Sequence, residues 1–255
     1  MKLKIAVFSL LFISMVASIA AGEQNASESS NNWRGPYAGI SIGYINGDTA
    51  PDVKVKEKGY FVNDDPGQLN PLASKGLDAN DFLGALLLGY SFQRGPVVIG
   101  LEADFSLMDY KEQNSTGNIN YITSPTNTFS ITTKVETRWA ANLRMRLGYV
   151  WKNSLFFITG GPSWTELDYS FLFTDTFTPE SSRVNTDKLK LGWTAGFGYE
   201  KKFKKHWSVR AEWLYAEFND IIETQSPLAT HTADGFTHQV DHETRALRLC
   251  IIRSF

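Results

Sequence analysis

The chain has a single cysteine, Cys250, in 255 residues, which excludes an internal disulfide framework and any CxxC metal or redox pair. It has only four histidines, and neither an HExxH pair nor a glycine-rich phosphate loop occurs. Beyond the first 22 residues no run approaches the roughly 20 apolar residues that a membrane helix needs. No basic block is present and the net charge is -2, which argues against a nucleic-acid surface. The mean hydropathy of -0.23 reads as that of a soluble protein. That inference fails for a β-barrel, whose strands offer lipid only every second side chain and so hide the signal from averages.

At the start, Lys2 and Lys4 precede the apolar run Ile5 to Ile19 and the small residues Ser18, Ala20, Ala21 and Gly22. This predicts a secretory signal over 1–22, removed after Ala20 or Gly22. The alternative, an uncleaved anchor, is poorly served by so short a run. No cysteine lies near residue 20, so a lipid-modified N-terminus is not expected. Residues 23–35 read as a polar periplasmic tether, and 36–255 as the folded domain.

The stretch WRGPYAGISIGY at 33–44 spaces Gly35, Gly39 and Gly43 four apart, a pattern that could mark a helix-pairing face. The pattern gives way at Asn46 to Pro51, long enough for a membrane strand of about 9–11 residues but not for a helix. As a strand it places the glycines on one face with Tyr37 and Ser41. Further alternating segments are expected near 81–93, 96–109, 135–151, 154–170, 187–203, 206–219 and 242–255. Tight turns near 94, 153 and 204 alternate with long connections at 47–80, 110–134, 171–186 and 220–241. Short turns at one end and long loops at the other are the layout of an outer-membrane barrel.

The strand faces agree with this reading. In 135–149 the odd residues Val135, Thr137, Trp139, Ala141, Leu143, Met145, Leu147 and Tyr149 suit lipid. The even ones include Glu136, Arg138, Asn142, Arg144 and Arg146. Segments 97–107 and 189–200 repeat the alternation. A soluble β-sandwich also alternates, but needs no such asymmetry of loop length. Aromatics gather in two sets: Tyr90, Phe92, Tyr149, Trp151, Tyr199, Trp207 and Phe255 towards the tight turns, and Tyr44, Phe82, Trp139, Tyr169 and Tyr215 towards the other rim. Two girdles mark the two membrane interfaces.

The blocks WRGPYAGISIGY, GALLLGYSFQRGPVVIGLEADF at 84–105, NLRMRLGYVWKNSLFFITGG at 142–161 and LGWTAGFGYEKKFKKHWSVRAEWLYAEF at 191–218 resemble the small outer-membrane β-barrel family of porin-family or opacity-like surface antigens. The ending RLCIIRSF is similar to the closing strand whose last aromatic, here Phe255, is read by the barrel-assembly machinery. The resemblance implies an eight-stranded antiparallel up-and-down transmembrane β-barrel in the outer membrane of a Gram-negative bacterium, with short periplasmic turns and four long extracellular loops. Members are named for surface exposure, porin-like character, adhesion or, in one branch, haemin binding. The family commonly has glycine where Cys250 stands and an aromatic where Arg253 stands.

An eight-stranded barrel is just wide enough for side chains to fill it. The inward parity predicts a lumen ionic network of Glu102, Asp104, Glu136, Arg138, Arg144, Arg146, Lys190, Glu200, Arg210, Glu212 and Arg248. Buried charges must be paired, so a charge-plugged lumen is expected, with a small or gated pore as the alternative. His231, His238 and His242, near Asp234 and Asp241, form a candidate metal or haem set. His206-Trp-Ser208 resembles the HxS triplet of outer-membrane lipid deacylases, but the topology sets it at the periplasmic end, away from their substrate. Asn25 and Asn114 match a glycosylation pattern, read here as polar loop. Lys54, Lys56 and Lys58, followed by Asp64 and Asp65, could meet lipopolysaccharide phosphates or host surfaces. The expectation is a non-enzymatic surface protein with a display or adhesion-like role and no cofactor. Its expected partners are outer-membrane lipid, lipopolysaccharide, the assembly machinery and host molecules, with no nucleic acid and the oligomeric state open.

Overall fold

The computed structural model describes residues 32–62 and 64–255. The signal segment, its cleavage site, Asn25 and most of the tether lie outside the described residues. The strands are β1 (Gly35–Lys56), β2 (Leu77–Arg94), β3 (Val97–Ser115), β4 (Ile119–Asn120), β5 (Thr128–Trp151), β6 (Ser154–Asp175), β7 (Ser181–Lys204), β8 (Trp207–Pro227) and β9 (Gly235–Ser254). One helix, α1 (Asp65–Ala73), sits between β1 and β2. Every long strand pairs antiparallel with its sequence neighbour, β1 pairs with β9, and β3 pairs with β5 past the two-residue β4. Through the belt the ring of eight strands is therefore closed without an edge, as a sheet in lipid must be; above it the β7–β8 ladder stops at Trp193 and Glu217, save for the bridge of Ser182 to Leu228, and the β2–β3 ladder stops at Leu83 and Met108.

The strands are 18–24 residues long, about twice what a membrane crossing requires. At a rise of about 3.3 Å per residue and a tilt near 40°, they carry the barrel roughly 25–30 Å beyond the hydrocarbon belt. The belt is the part next to the tight turns, where Ile40, Leu86, Leu101, Met145, Ile158 and Leu191 are exposed outward. Its upper limit is the aromatic set Tyr44, Phe82, Trp139, Trp193 and Tyr215, with Tyr44 on Phe82 at 5.7 Å and Trp193 on Tyr215 at 5.4 Å. We take the spanning stretches as 38–44, 82–92, 97–107, 139–151, 155–164, 191–203, 207–215 and 247–255.

Above the belt the chemistry inverts. Outward residues become polar, and the interior fills with Phe61, Phe129, Phe171, Phe173, Phe236 and their neighbours. The connections expected at 110–134, 171–186 and 220–241 are thus mostly strand, and that at 47–80 is strand at both ends with the helix between. Water, rather than lipid, faces their outer side, and the apolar face has turned inward. Tyr169 is likewise buried in this core rather than standing in the outer girdle. At the top, β1 beyond Thr49 has lost β2 as a partner. Its exposed edge is satisfied by α1 and its end: Asn70 Oδ1 accepts from Val55 N at 2.8 Å and Ser74 Oγ from Val53 N at 2.9 Å. Leu69 of α1 is buried in the aromatic core, so the helix closes the upper mouth.

Candidate functional site

The interior next to the tight turns is an ionic network. Glu102 and Asp104 come from β3, Arg144 and Arg146 from β5, Glu200 from β7, Arg210 and Glu212 from β8, and Arg248 from β9. Glu102 receives Arg144 Nη2 and Arg210 Nη1, each at 2.6 Å, with Arg146 at 3.6 Å. Glu200 takes Arg146 at 3.0 Å and Arg210 at 2.9 Å, while Asp104 takes Arg144 at 3.0 Å and Arg248 at 2.9 Å. Glu212 stands 3.5–3.8 Å from Arg144, Arg210 and Arg248. Four cations meet four anions, which is the condition for keeping charges out of water.

Neutral partners extend it, although both oxygens of Glu212 have no hydrogen-bond donor. Tyr37 donates to Glu102 at 2.9 Å and accepts from Arg146 at 3.0 Å; Ser208 and Asn142 donate to Glu200 and Asp104. Arg146 lies 4.0 Å from the centre of the Phe157 ring, a favourable cation–π position.

Glycine makes the crowding possible. A Cβ on Gly43 would lie 2.6 Å from the Leu247 carbonyl and 3.0 Å from Arg248 Cγ, and one on Gly89 would lie 2.3 Å from the Tyr37 ring. Gly43→Val is therefore expected to destabilise the barrel by about 1–3 kcal/mol, read as a lower urea midpoint in detergent. An unchanged midpoint would show that Arg248 has space to spare.

Three predicted members fall outside the network. β5 carries a bulge between Glu136 and Ala140. Above it the odd residues Val135 and Thr137 point inward, so Glu136 and Arg138 turn out to the surface, where they pair at 2.8 Å beside Lys134. Lys190 keeps the inward parity, opposite the buried Thr165, but stands above the ionic layer at the unpaired seam between β7 and β8, where it donates to the Asp220 carbonyl at 2.9 Å.

Both ends are stopped. At the tight-turn end Trp33 packs on Val98, Leu155 and Phe157, with Lys202 Nζ 4.5 Å from the Trp33 ring centre. Residues assigned to the tether by composition therefore belong to the barrel from Trp33 onward. Between the ionic layers and the aromatic core lies a cavity of about 30 Å³ lined by Ser106, Asn142, Ser163, Thr194, His242 and Arg248. It has room for one or two waters.

The histidines do not gather. His238 is buried, with Nδ1 at 3.0 Å from Tyr169 Oη and Nε2 at 2.7 Å from Ser226 Oγ, leaving neither nitrogen for a metal. His242 is buried against Tyr110 and Phe218, with Nδ1 3.0 Å from Thr49 Oγ1. Only His231 is at a loop tip, where its Nδ1 lies 2.6 Å from the buried Glu180. Among the described residues, no group of three or more His, Cys, Asp or Glu could hold a metal ion. His206 is exposed in a turn while Ser208 points into the lumen, so the HxS pair does not converge either.

The upper loops are tied to one another. Burial pushes the Glu180 carboxyl up, but hydrogen bonds from Thr230 and His231 outweigh it and hold it well below the usual carboxylate range. Asp234 accepts from the backbone of Lys58 and Tyr60, joining the first connection to the last. Asp65, one of the two acids flagged in the first connection, is buried and accepts from Val62 N at 3.0 Å and Thr123 Oγ1 at 2.5 Å.

The sequence profile described as outer membrane protein beta-barrel domain matches residues 8–237. The chain belongs to that family. It is 30% identical over 214 residues, 80% of each chain, to the 31 kDa outer-membrane immunogenic protein of Brucella melitensis. It is 22% identical over 194 residues, 76% of this chain and 74% of the relative, to the 25 kDa outer-membrane immunogenic protein of Brucella ovis. Among solved structures, the outer membrane protease of Escherichia coli covers 91% of this chain and 99% of its own at 9% identity and a TM-score of 0.46. As a family member the barrel resides in the cell outer membrane, and its exposed apolar belt is the lipid-facing surface.

Proposed function

We propose that this outer-membrane barrel is a display protein, neither a channel nor an enzyme, which holds a rigid, closed-topped stalk above the cell surface. The observation that carries the reading is the filled interior: an apolar stopper at Trp33, an ionic layer of equal charge, a cavity of water size, and an aromatic core under α1. A conducting pore would need continuous space through all four levels, and an enzyme would need nucleophile, base and acid converging at one place. The sequence relatives named as immunogenic outer-membrane proteins are in keeping with surface exposure, and the loop tips would be the face offered to host molecules. Lipopolysaccharide would surround the upper girdle, and the assembly machinery would read Phe255. The tight turns lie on the periplasmic side in this reading.

Cysteine labelling on intact cells tests it, since the native Cys250 is buried. Ile122→Cys, exposed at the upper end, should react with a membrane-impermeant maleimide, and Arg94→Cys in a tight turn should react only after lysis. The reverse pattern would overturn the orientation.

A further inference from the structure

Charge is distributed unequally between the two ends of the belt. The tight-turn rim exposes Arg34, Arg94, Lys152, Lys204, Lys205 and Arg253. Among the described residues of 32–37, 90–98, 149–157, 199–209 and 250–255 the one acidic side chain, Glu200, faces the lumen and is paired there. The opposite boundary carries outward acids such as Asp48, Asp81, Asp109 and Asp187.

Four of the rim cations lie along one arc. Lys202 N, at the end of β7, donates to Asn153 O, which sets the turn bearing Lys152 beside the turn bearing Lys204 and Lys205. Ser254 N donates to His206 O and Arg253 pairs with Trp207, which brings Arg253 to the same arc. Directly above, on the lipid face, is a groove of about 490 Å³ walled by Phe156, Phe197, Tyr199 and Trp213. Its floor is Ala211, the small residue opposite Tyr199 in the register. From Tyr199 to Lys204 is five residues, about 13 Å along the membrane normal, comparable to the span from a lipid's chain to its headgroup.

We propose that this arc binds an anionic phospholipid of the periplasmic leaflet, with its phosphate among Lys152, Lys204, Lys205 and Arg253 and one acyl chain in the groove over Ala211. The groove lies within hydrocarbon, so only a lipid chain or another barrel can fill it. A second copy would set one cationic rim against another, and like charges across an interface disfavour that occupant. An anionic lipid meets both parts of the site, apolar chain to aromatic wall and phosphate to cations. The name of the leaflet rests on the orientation proposed above, whereas the site itself does not.

The test uses the full refolded chain in neutral detergent, with phosphatidylglycerol or phosphatidylcholine added and retained lipid counted by native mass spectrometry. Phosphatidylglycerol should be retained more than tenfold better, since each interfacial cation is worth about fivefold. Lys204→Gln/Lys205→Gln/Arg253→Gln, all exposed positions, should bring it down to the phosphatidylcholine level with unchanged heat-modifiable migration. Ala211→Trp should reduce retention of both lipids, and glycerol phosphate alone should not compete. Equal retention of the two lipids, or a triple variant that keeps phosphatidylglycerol as the native chain does, would overturn the proposal. Competition by glycerol phosphate would overturn the groove's part in it. Because the measurement is made in micelles, its failure is separate from a failure of the labelling that tests orientation.

Discussion

Glu102→Ala is expected to destabilise the barrel by about 3–5 kcal/mol, the cost of stripping one partner from a buried ionic cluster. Glu102 is the hub: two arginines at 2.6 Å, a third at 3.6 Å and the Tyr37 hydroxyl all converge on it. Without it four guanidinium groups face three carboxylates in a space that holds no bulk water, and Arg210 keeps only Glu200 at close range. The urea midpoint of refolded protein in micelles reads the loss. The double variant Glu102→Gln/Arg210→Met should cost clearly less than the two single changes added together, because removing both charges leaves no orphan. Strict additivity would mean that the cluster is not acting as a unit.

Acidification is the second large effect. Burial lowers the pKa of His238 to about 4, and burial likewise lowers that of His242 to about 4 against the opposing pull of Asp48. Both imidazoles are therefore neutral when folded, while in the unfolded chain they take up protons near pH 6.5. The folded state binds fewer protons between those limits. Its stability is fully present above pH 6.5 and falls as the pH drops towards 4, by about 3 kcal/mol for each histidine at the lower limit. Glu180 adds its own loss as the pH falls through the ordinary carboxylate value of 4.5 towards about 2, where its tie to Thr230 and His231 is protonated away. Hydrogen exchange at pH 7.5 and pH 5 should show the aromatic upper half loosening first, because both histidines sit there. His238→Phe/His242→Phe should flatten the dependence. An equally steep dependence in that variant would assign it to other groups.

How much of this was legible in the sequence differs between the two halves of the barrel. In the belt, lipid outside and charge inside give strong alternation, and eight of the eleven predicted lumen residues take their places from parity alone. In the upper half the apolar face turns inward, which β6 displays openly: Phe156, Ile158 and Trp164 are apolar on even positions, and Leu167, Phe171 and Phe173 on odd ones. β5 conceals the same inversion. Its bulge shifts the parity at the height where the chemistry inverts, so apolar residues stay on odd positions from Ile131 to Tyr149 although the first few face in and the rest face out. The residues at the bulge, Trp139-Ala140-Ala141, fit either side and carry no mark of it. Glu136 and Arg138 were misplaced for that reason. Trp33 was hidden differently, as one aromatic at the end of a polar stretch whose composition speaks for a tether. Of the three candidate histidines, His238 and His242, near neighbours in what reads as a loop, stand on one face of β9 with their rings packed into the aromatic core, while His231 stays at a loop tip.

The sealed lumen is the central claim, and single-molecule conductance tests it most directly. Purified, refolded protein inserted into a planar bilayer should leave the current at baseline over a wide voltage range. Reproducible, discrete conductance steps from the native chain would contradict it.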